Sequence, residues 1–407
     1  MSSGLKRILV IVGFFGIIAL VAWMIYFVFF RAPSAPVTTP PSVEGDIQSG
    51  TTGLPGSGTG TIPTGGAPSE TTLPPSEVAA GGATASTQLT SSAIISPVIT
   101  ADGKSMAYYD PSDGRFYKIN NDGTVTRLSD KQFPDAETIV WDDSATTVAI
   151  EFPDGANIIF NFTTEKQTSL PTHWEDFDFS PAGDQVIAKS IGNDPSARAL
   201  VITNADGSNT QIINGLGKNA DLVDVAWSPN DQVIAFADTA SGTGLGGIGR
   251  QMIFPIGKNE ENFKGLVVEG LNFHARWSPN GAQILYDAAG ASSNYRPLLW
   301  IVDGTAKTMG DNRMSLGLNT WVEKCTFADD TTIYCAVPSQ MDNNAGLQPD
   351  TVTSDDSIYR VDLTTGKVKL IGYPAEGTPM LNLAVSADGN YLYFTDDRNR
   401  LQSMRIK

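Results

Sequence analysis

The sequence contains few of the side chains that build metal centres. It has two cysteines and two histidines among 407 residues. A structural zinc site needs four Cys or His ligands at short spacings, and a disulfide-stapled scaffold needs many cysteines. The composition therefore excludes both a familiar zinc module and a disulfide-dense fold.

Positive charge is also scarce. The chain has 27 Lys and Arg against 44 Asp and Glu, for a formal net charge of −17. Nucleic-acid affinity and polybasic membrane binding both depend on clustered cations, so neither is expected. Charged residues make up only 17% of the chain and glycine occurs 40 times, which favours strands and turns over long solvated helices.

Uncharged residues run unbroken from Ile8 to Phe30. This stretch is long enough to span a bilayer as one helix. Lys6 and Arg7 precede it, so the positive-inside rule places residues 1–7 in the cytoplasm and the rest of the chain outside. We expect a single-pass anchor over 8–30 at the cell membrane. A cleaved signal peptide is the alternative, for which the run is long and the residues after it are a poor cleavage site.

Residues 31–86 are rich in Pro, Gly, Ser and Thr and contain no aromatic side chain. Such a segment cannot bury enough apolar surface to offset its ordering entropy. It is therefore predicted to be a disordered linker with a reach of about 45 Å.

The segment 87–407 contains an internal repeat. Each copy has a short apolar strand, a tight polar turn and a second apolar strand. The equivalent turn positions are Thr100, Asp142, Ser180, Ser228, Ser278, Ala328 and Ser386. A period of about 45 residues with no helical signal is typical of propeller blades. The expected fold is therefore all-β, a seven-bladed β-propeller of four-stranded blades.

The last copy stops after its third strand, at the C-terminal segment LQSMRIK. The segment STQLTSSAI, before the first copy, is the candidate for its missing fourth strand. Pairing the two ends in this way would close the ring and remove exposed sheet edges.

The SPxG- and SADG-type turns between apolar strands, followed by Asp-Gly hairpins, resemble the WD40-like repeat of TolB-type bacterial propellers. The resemblance implies the propeller fold over the whole repeat region. The anchor and linker differ from that family, which has a cleaved signal and an N-terminal globular domain. The family's partners are therefore not transferred to this chain.

Cys325 and Cys335 flank the turn of the sixth repeat, five residues on either side of Asp330. An antiparallel register centred there places them opposite each other, so a cross-strand disulfide is predicted. Two buried thiols are the alternative. A catalytic thiol is not expected, because no cationic neighbour is evident from the sequence.

Three further motifs in the sequence give weaker signals. Gly244, Gly246 and Gly249 match a GxGxxG pattern, but between strands it indicates a loop and not a dinucleotide site. His173 and His274 would bind a metal only if their blades converge, and polar strand starts explain them better. Asp-rich turns such as those at Asp122, Asp206 and Asp396 are the only candidates for calcium, and hairpin chemistry already explains them. No cofactor is therefore expected.

The repeat phasing predicts two sets of equivalent residues. One residue before each turn is apolar, which predicts a core between blades: Ile99, Trp141, Phe179, Trp227, Trp277, Phe327 and Val385. Four residues before each turn is polar, which predicts a ring at one mouth of the channel: Ser96, Thr138, Asp176, Asp224, His274, Lys324 and Asn382. Solvated strand ends are the alternative explanation for this second set.

Long connections at 238–250, 288–297, 304–320 and 338–356 are predicted to emerge at the same mouth. Binding residues commonly gather on loops held by a rigid scaffold. The expected binding face therefore comprises Asp224, His274 and Lys324 from the ring, with Tyr295, Arg296 and Met341 from the loops.

These features predict a membrane-tethered, extracytoplasmic binding or scaffold module of a bacterial envelope. Its partner would be an envelope protein or a small ligand on the propeller face. Two alternatives remain open: an enzyme of the propeller face, such as a hydrolase or lyase acting on glycans, and a structural component of an envelope assembly.

Overall fold

Each of the seven repeats forms one blade of a β-propeller, as the spacing predicts. The computed structural model describes residues 74–238, 249–259, 261–348 and 354–407. Within them, six sheets have four strands and one has five. The all-β seven-bladed architecture is therefore confirmed.

The first two strands, β1 and β2, join the blades formed by the end of the chain, and β3–β6 form blade 1. The next twelve strands form blades 2 to 4, and the last eleven complete blades 5 to 7. In chain order the strands are β1 (Ala83–Thr84), β2 (Ser86–Gln88), β3 (Ile95–Ile99), β4 (Ser105–Asp110), β5 (Arg115–Asn120), β6 (Val125–Arg127), β7 (Thr138–Trp141), β8 (Thr147–Glu151), β9 (Asn157–Asn161), β10 (Lys166–Leu170), β11 (Trp174–Phe179), β12 (Gln185–Ser190), β13 (Ala199–Asn204), β14 (Gln211–Gly215), β15 (Val223–Val225), β16 (Val233–Ala237), β17 (Gln251–Gly257), β18 (Leu266–Val268), β19 (Leu271–Trp277), β20 (Gln283–Ala289), β21 (Pro297–Asp303), β22 (Met314–Ser315), β23 (Cys325–Asp329), β24 (Thr332–Pro338), β25 (Asp356–Asp362), β26 (Lys367–Pro374), β27 (Leu381–Val385), β28 (Tyr391–Thr395) and β29 (Leu401–Arg405). Short 3-10 helices cover Pro195–Ala197, Gly217–Leu222, Ala291–Ser293, Val322–Lys324 and Ala345–Leu347.

The side chain at the turn position explains why Ser recurs there. In four blades its hydroxyl accepts a hydrogen bond from the backbone N–H five residues later. An example is Val233 N to Ser228 Oγ at 2.9 Å, and the others involve Ser180, Ser278 and Ser386. In blade 2 the Asp142 carboxylate accepts from Thr147 N in the same way. This bond fixes the tight turn between the first and second strands.

Apolar side chains fill the spaces between blades in seven separate clusters. Each of the seven residues predicted for this core belongs to a different cluster. The prediction is therefore confirmed.

The two ends of the propeller meet in blade 7. β2 pairs with β29 in antiparallel register, with Ser86 opposite Met404 and Gln88 opposite Gln402. The predicted ring closure is confirmed. In addition, β1 pairs in parallel with β26 of blade 6, with Ala83 opposite Tyr373. The folded region therefore begins before the predicted boundary at residue 87, because the last part of the predicted linker joins the sheet edges of two blades.

Cys325 and Cys335 lie directly opposite each other on β23 and β24, and a disulfide joins them. Both residues are fully buried in the core between blades 5 and 6. Because the two are only ten residues apart, the loop-entropy contribution to stability is at most about 3 kcal/mol.

The predicted connection 304–320 turns out to consist of two connections. The two-residue strand β22 (Met314–Ser315) divides it, and such a short strand has no alternating pattern to show in the sequence. The part before β22 lies beside the turn between the first and second strands, where Gly304 N donates to Ala282 O at 2.8 Å. That part of the prediction was wrong, because it belongs to the opposite face of the propeller.

No helix among the described residues is long and apolar enough to cross a membrane. The predicted cytoplasmic stub, the anchor over 8–30 and the linker up to residue 73 lie outside the described residues, as does most of the glycine-rich loop that contains Gly244 and Gly246.

We expect that Gly372→Ala destabilises the propeller by about 1–3 kcal/mol, because overpacking a tight contact forces the backbone apart. A Cβ at Gly372 would lie 2.6 Å from Thr84 Oγ1 and 3.0 Å from Gly82 O, between β26 and β1. The control is Gly215→Ala, in the outer strand of blade 3, where a Cβ meets nothing within 4 Å. Its stability should be unchanged or raised by up to about 1 kcal/mol. Urea unfolding measures both, and equal effects would contradict the closing role of β1.

Candidate functional site

The innermost strands β3, β7, β11, β15, β19, β23 and β27 all begin at one face of the propeller, which we call the mouth face. The second strand of each blade runs antiparallel to the first and therefore ends at the mouth face, and the third strand runs back from there. The connections between second and third strands thus emerge at this face too. Asp224, His274 and Lys324 lie at this face, as predicted from the repeat. Asp224 is exposed, His274 is half-buried and Lys324 is buried.

Lys324 forms a buried ion pair within the propeller. Its Nζ lies 2.6 Å from Asp356 Oδ2, and the Asp356 side chain is completely buried. The same carboxylate oxygen accepts a hydrogen bond from Met380 N at the start of blade 7. The ion pair therefore lies within blade 6, its carboxylate also joins that blade to blade 7, and the ammonium is not free for a ligand.

His274 faces two carboxylates at the junction of blades 5 and 6. Its Nδ1 lies 3.4 Å from Asp287 Oδ2 and 4.0 Å from Glu323 Oε1. The hydrogen bond to Asp287 raises the pKa of His274 to about 9, although burial opposes this. Burial raises the pKa of Asp287 to about 6, and His274 counteracts that rise. At neutral pH the pair is therefore an imidazolium and a carboxylate.

The same three side chains could also hold a metal ion. One ligand atom from each of His274, Asp287 and Glu323 lies within 4.8 Å of the others, and among the described residues this is the one such group. A metal would have to displace the imidazole proton. His173, the other histidine, is exposed at the start of blade 3 and is not part of the group, so the structure gives no two-histidine site within its described residues.

At the mouth face, carboxylates of one blade accept hydrogen bonds from backbone N–H groups of the next blade, an arrangement that the sequence did not reveal. Asp356 Oδ2 accepts from Met380 N at 2.6 Å, joining blades 6 and 7. Asp287 Oδ1 accepts from Val322 N at 2.8 Å, joining blades 5 and 6. Each of these carboxylates thus binds the backbone that closely precedes the innermost strand of the next blade. We call these contacts the interblade clasps.

Carboxylates crowd together on blades 2 to 4. Burial, together with the nearby Asp176, Glu175 and Glu137, raises the pKa of Glu151 to about 7. Burial likewise raises the pKa of Asp178 to about 7, against two backbone hydrogen bonds that lower it. Desolvation by the surrounding protein, together with the charge of Asp176, raises the pKa of Asp224 although part of the residue is exposed, and Lys189 opposes this. This side of the mouth is therefore a region where added negative charge is costly.

Large apolar side chains are exposed mainly at the mouth face. Of the nine such residues among those described, five belong to the starts of inner strands or to the loops at this face: Leu222, Leu271, Tyr295, Leu347 and Leu381. Their exposed fractions lie between 38% and 44%. Exposed apolar residues that gather on one surface are typical of a binding surface.

The long loops of blades 5 and 6 pack against each other at this face. Gly346 N donates to Tyr295 O and Asn344 N donates to Asn294 O, both at 2.9 Å. Arg296 and Met341, one from each loop, line a cavity of about 310 Å³. The structure thus brings together the three loop residues that the sequence predicted, whereas Asp224 lies on blade 4.

The Asp-rich turns are explained by their own hydrogen bonds. Thr124 N donates to Asp122 Oδ1 at 2.9 Å, and Ser208 N donates to Asp206 Oδ1 at 3.0 Å. Asp396 accepts from the backbone N–H groups of Arg398 and Arg400. These bonds lower the pKa of Asp122 and Asp206.

Comparison with known proteins identifies the fold. No family model and no curated protein matches the sequence. Among solved structures, an oligogalacturonate lyase in complex with manganese aligns with a TM-score of 0.55 at 12% identity, over 79% of this chain and 93% of that one. The Vibrio parahaemolyticus oligogalacturonate lyase aligns with a TM-score of 0.54 at 10% identity, over 79% and 93%. The Swd1 propeller domain of Myceliophteria thermophila aligns with a TM-score of 0.51 at 11% identity, over 79% and 100%. At these identities the likeness shows a shared propeller fold, and the TolB-type resemblance stays a prediction.

We expect the stability of the protein to fall between pH 5.5 and pH 8. The pKa of Glu151 is about 7 in the folded state and lower in the unfolded state. The folded state therefore binds more protons in this window, and its stability decreases as pH rises. Glu151→Gln keeps a hydrogen-bond acceptor but cannot ionise, so it should reduce this decrease and raise the melting temperature at pH 8. The exposed Glu376→Gln serves as the control and should leave the slope unchanged. A wild-type melting temperature that rises from pH 5.5 to pH 8 would contradict this assignment.

Proposed function

We propose that the chain is a binding module that is held at the cell membrane by its N-terminal segment and docks an envelope partner on its mouth face. The observation that carries this proposal is the concentration of exposed Leu and Tyr side chains on that face. A partner that covers them gains hydrophobic free energy, at about 25 cal/mol for each Å² of apolar surface removed from water.

The loops of blades 5 and 6 support the same face. Tyr295 exposes its ring from a backbone with a φ of 56°, and its carbonyl oxygen is held by Gly346 N. A large side chain fixed in an uncommon backbone conformation has less freedom to lose when a partner binds. Tyr is also among the residues that are enriched at binding hot spots.

The membrane part of the proposal rests on the sequence. The uncharged run over 8–30 and the cations before it favour a single-pass anchor with residues 1–7 in the cytoplasm and the propeller outside. The Pro- and Gly-rich linker would let the mouth face reach partners near the membrane.

An enzyme acting on glycans is the second candidate, and the group formed by His274, Asp287 and Glu323 is the observation that favours it. A metal held there could polarise a substrate oxygen. One fold relative is an oligogalacturonate lyase that was solved with manganese. Asp287 already accepts a hydrogen bond from Val322 N, however, so the group also has a purely structural explanation.

Site-specific photocrosslinking in native membranes tests the binding proposal. A photoreactive residue at Tyr295 or Leu347 should capture a defined partner, and Leu271→Ser should weaken that capture roughly tenfold. The matched control is Ile212 in the outer strand of blade 3, which is 75% exposed but far from the mouth in the blade topology. Equal capture from Ile212, or crosslinks that map to the turns near Ser228 and Ser278, would overturn the proposed face.

The protein should also stay in the membrane fraction after a carbonate wash, and release by the wash would overturn the anchor.

Metal addition separates the enzyme from the binding module. If the second candidate holds, Mn²⁺ should raise the melting temperature of the full chain and lead to unsaturated products from an oligouronate. Stabilisation at a hundredfold excess over Kd would be about 2.7 kcal/mol. Glu323→Gln should abolish both effects, whereas Glu376→Gln should not. Absence of both effects in the wild type would exclude this candidate.

A further inference from the structure

Arg296 is an unpaired cation in a chain with a large excess of acidic side chains. Among the described residues it is the one half-buried arginine whose guanidinium forms no hydrogen bond or ion pair with the protein. Its Nε is inaccessible to solvent and has no acceptor. Arg276 donates to Cys325 O, and Arg313 donates to Val267 O and Glu269. Arg115 Nε also lacks an acceptor, but its guanidinium forms an ion pair with Asp113 at 3.7 Å. Leaving such a donor without an acceptor costs free energy, which a ligand could recover.

The backbone of Arg296 is fixed although its guanidinium is unpaired. Arg296 N donates to Ser293 O, and Arg296 O accepts from Ser293 Oγ at 2.6 Å. The next residue, Pro297, begins β21. The side chain therefore starts from a rigid position at the end of the loop, and it lines the cavity between blades 5 and 6.

The wall of that cavity is mixed. Leu318, Val337 and Met341 supply apolar surface, Tyr359 supplies an aromatic ring, and Asn319 and Ser339 supply polar groups. Among the described residues, no acidic side chain lines it, and Arg296 is the one cation that does. Its volume of about 310 Å³ lies at the lower end of the range of small-molecule sites.

We propose that this cavity binds a small organic carboxylate, with Arg296 holding the carboxylate group and the apolar wall holding the rest of the molecule. A guanidinium presents two parallel N–H donors that match the two oxygens of a carboxylate. A single cation balances one negative charge, which favours a carboxylate over a phosphate dianion. The proposal rests on the use of the mouth face for binding and adds the chemistry of one ligand.

Titrations with matched probes test this inference on the purified full-length protein. Benzoate is compared with benzamide, glucuronate with glucose, and inorganic phosphate forms a separate arm. Protein labelled with ¹³C at its methionine methyl groups gives a local signal from Met341, which Met341→Leu assigns. Benzoate or glucuronate should shift the Met341 signal in a saturable way, and the uncharged counterparts should not. Stronger binding of phosphate than of either carboxylate would overturn the assignment of ligand class.

Three variants separate binding from folding. Arg296→Gln should weaken carboxylate binding roughly tenfold to hundredfold, because a charge-assisted hydrogen-bonded pair is lost. Arg296→Lys, which keeps the charge but not the planar pair of donors, should lose less. The exposed Arg360→Gln is the control and should bind like the wild type. Because the guanidinium forms no bond to the protein, Arg296→Gln should keep its melting temperature within about 2 °C.

The inference is overturned if benzamide or glucose binds as well as its acid, if Arg296→Gln binds like the wild type, or if none of the probes shifts the Met341 signal. These failures are distinct from failure of the binding proposal. If the carboxylate tests fail but crosslinks from Leu347 persist in Arg296→Gln, the partner face is supported and the carboxylate site is not. Carboxylate binding without any mouth-face crosslinks would support the carboxylate site and contradict the partner face.

Discussion

The geometry of the mouth depends on carboxylates that bind backbone N–H groups across neighbouring blades. Each blade buries an apolar face against the next, but apolar packing is not directional and does not fix the height of one strand against another. A hydrogen bond from Val322 N to Asp287, or from Met380 N to Asp356, does fix it. The interblade clasps thus hold the starts of the inner strands, and the loops of the mouth face lie beside these starts.

Keeping those carboxylates in place requires compensation of their charge. Lys324 and His274 supply it for Asp356 and Asp287. On the other side of the mouth, Glu151 is buried close to further acids, and its pKa rises to about 7. The polar ring thus divides into a half whose buried carboxylates are neutralised by cations and a half with more acids than its one cation, Lys189, can neutralise. Residues that appeared in the sequence to be ligand-binding candidates are partly the supports of the fold.

The surface left for binding is consequently made of side chains that the clasps do not use. The exposed leucines, Tyr295 and the unpaired Arg296 lie on or beside the loops of blades 4 to 7, and they share no hydrogen bond with the clasp carboxylates. The opposite face is closed by short turns whose polar side chains are already bonded, such as Ser228 and Ser278. This asymmetry gives the propeller one face suited to binding.

The repeat by itself determined the number of blades, the seven core residues and the closing role of the segment near Ser86, because strand alternation and turn chemistry are local and recur at each copy. It also placed Cys325 opposite Cys335, since a symmetric hairpin sets its own register. The sequence did not show that Lys324 and His274 are paired, that β1 adds a strand to blade 6, or that residues 304–313 lie on the far face. Those features depend on contacts between strands that the repeat pattern does not specify, or on a strand of two residues that carries no pattern. Only the tertiary structure decided which charges have partners, because a partner such as Asp356 is 32 residues from Lys324 in the chain and belongs to another strand of the blade.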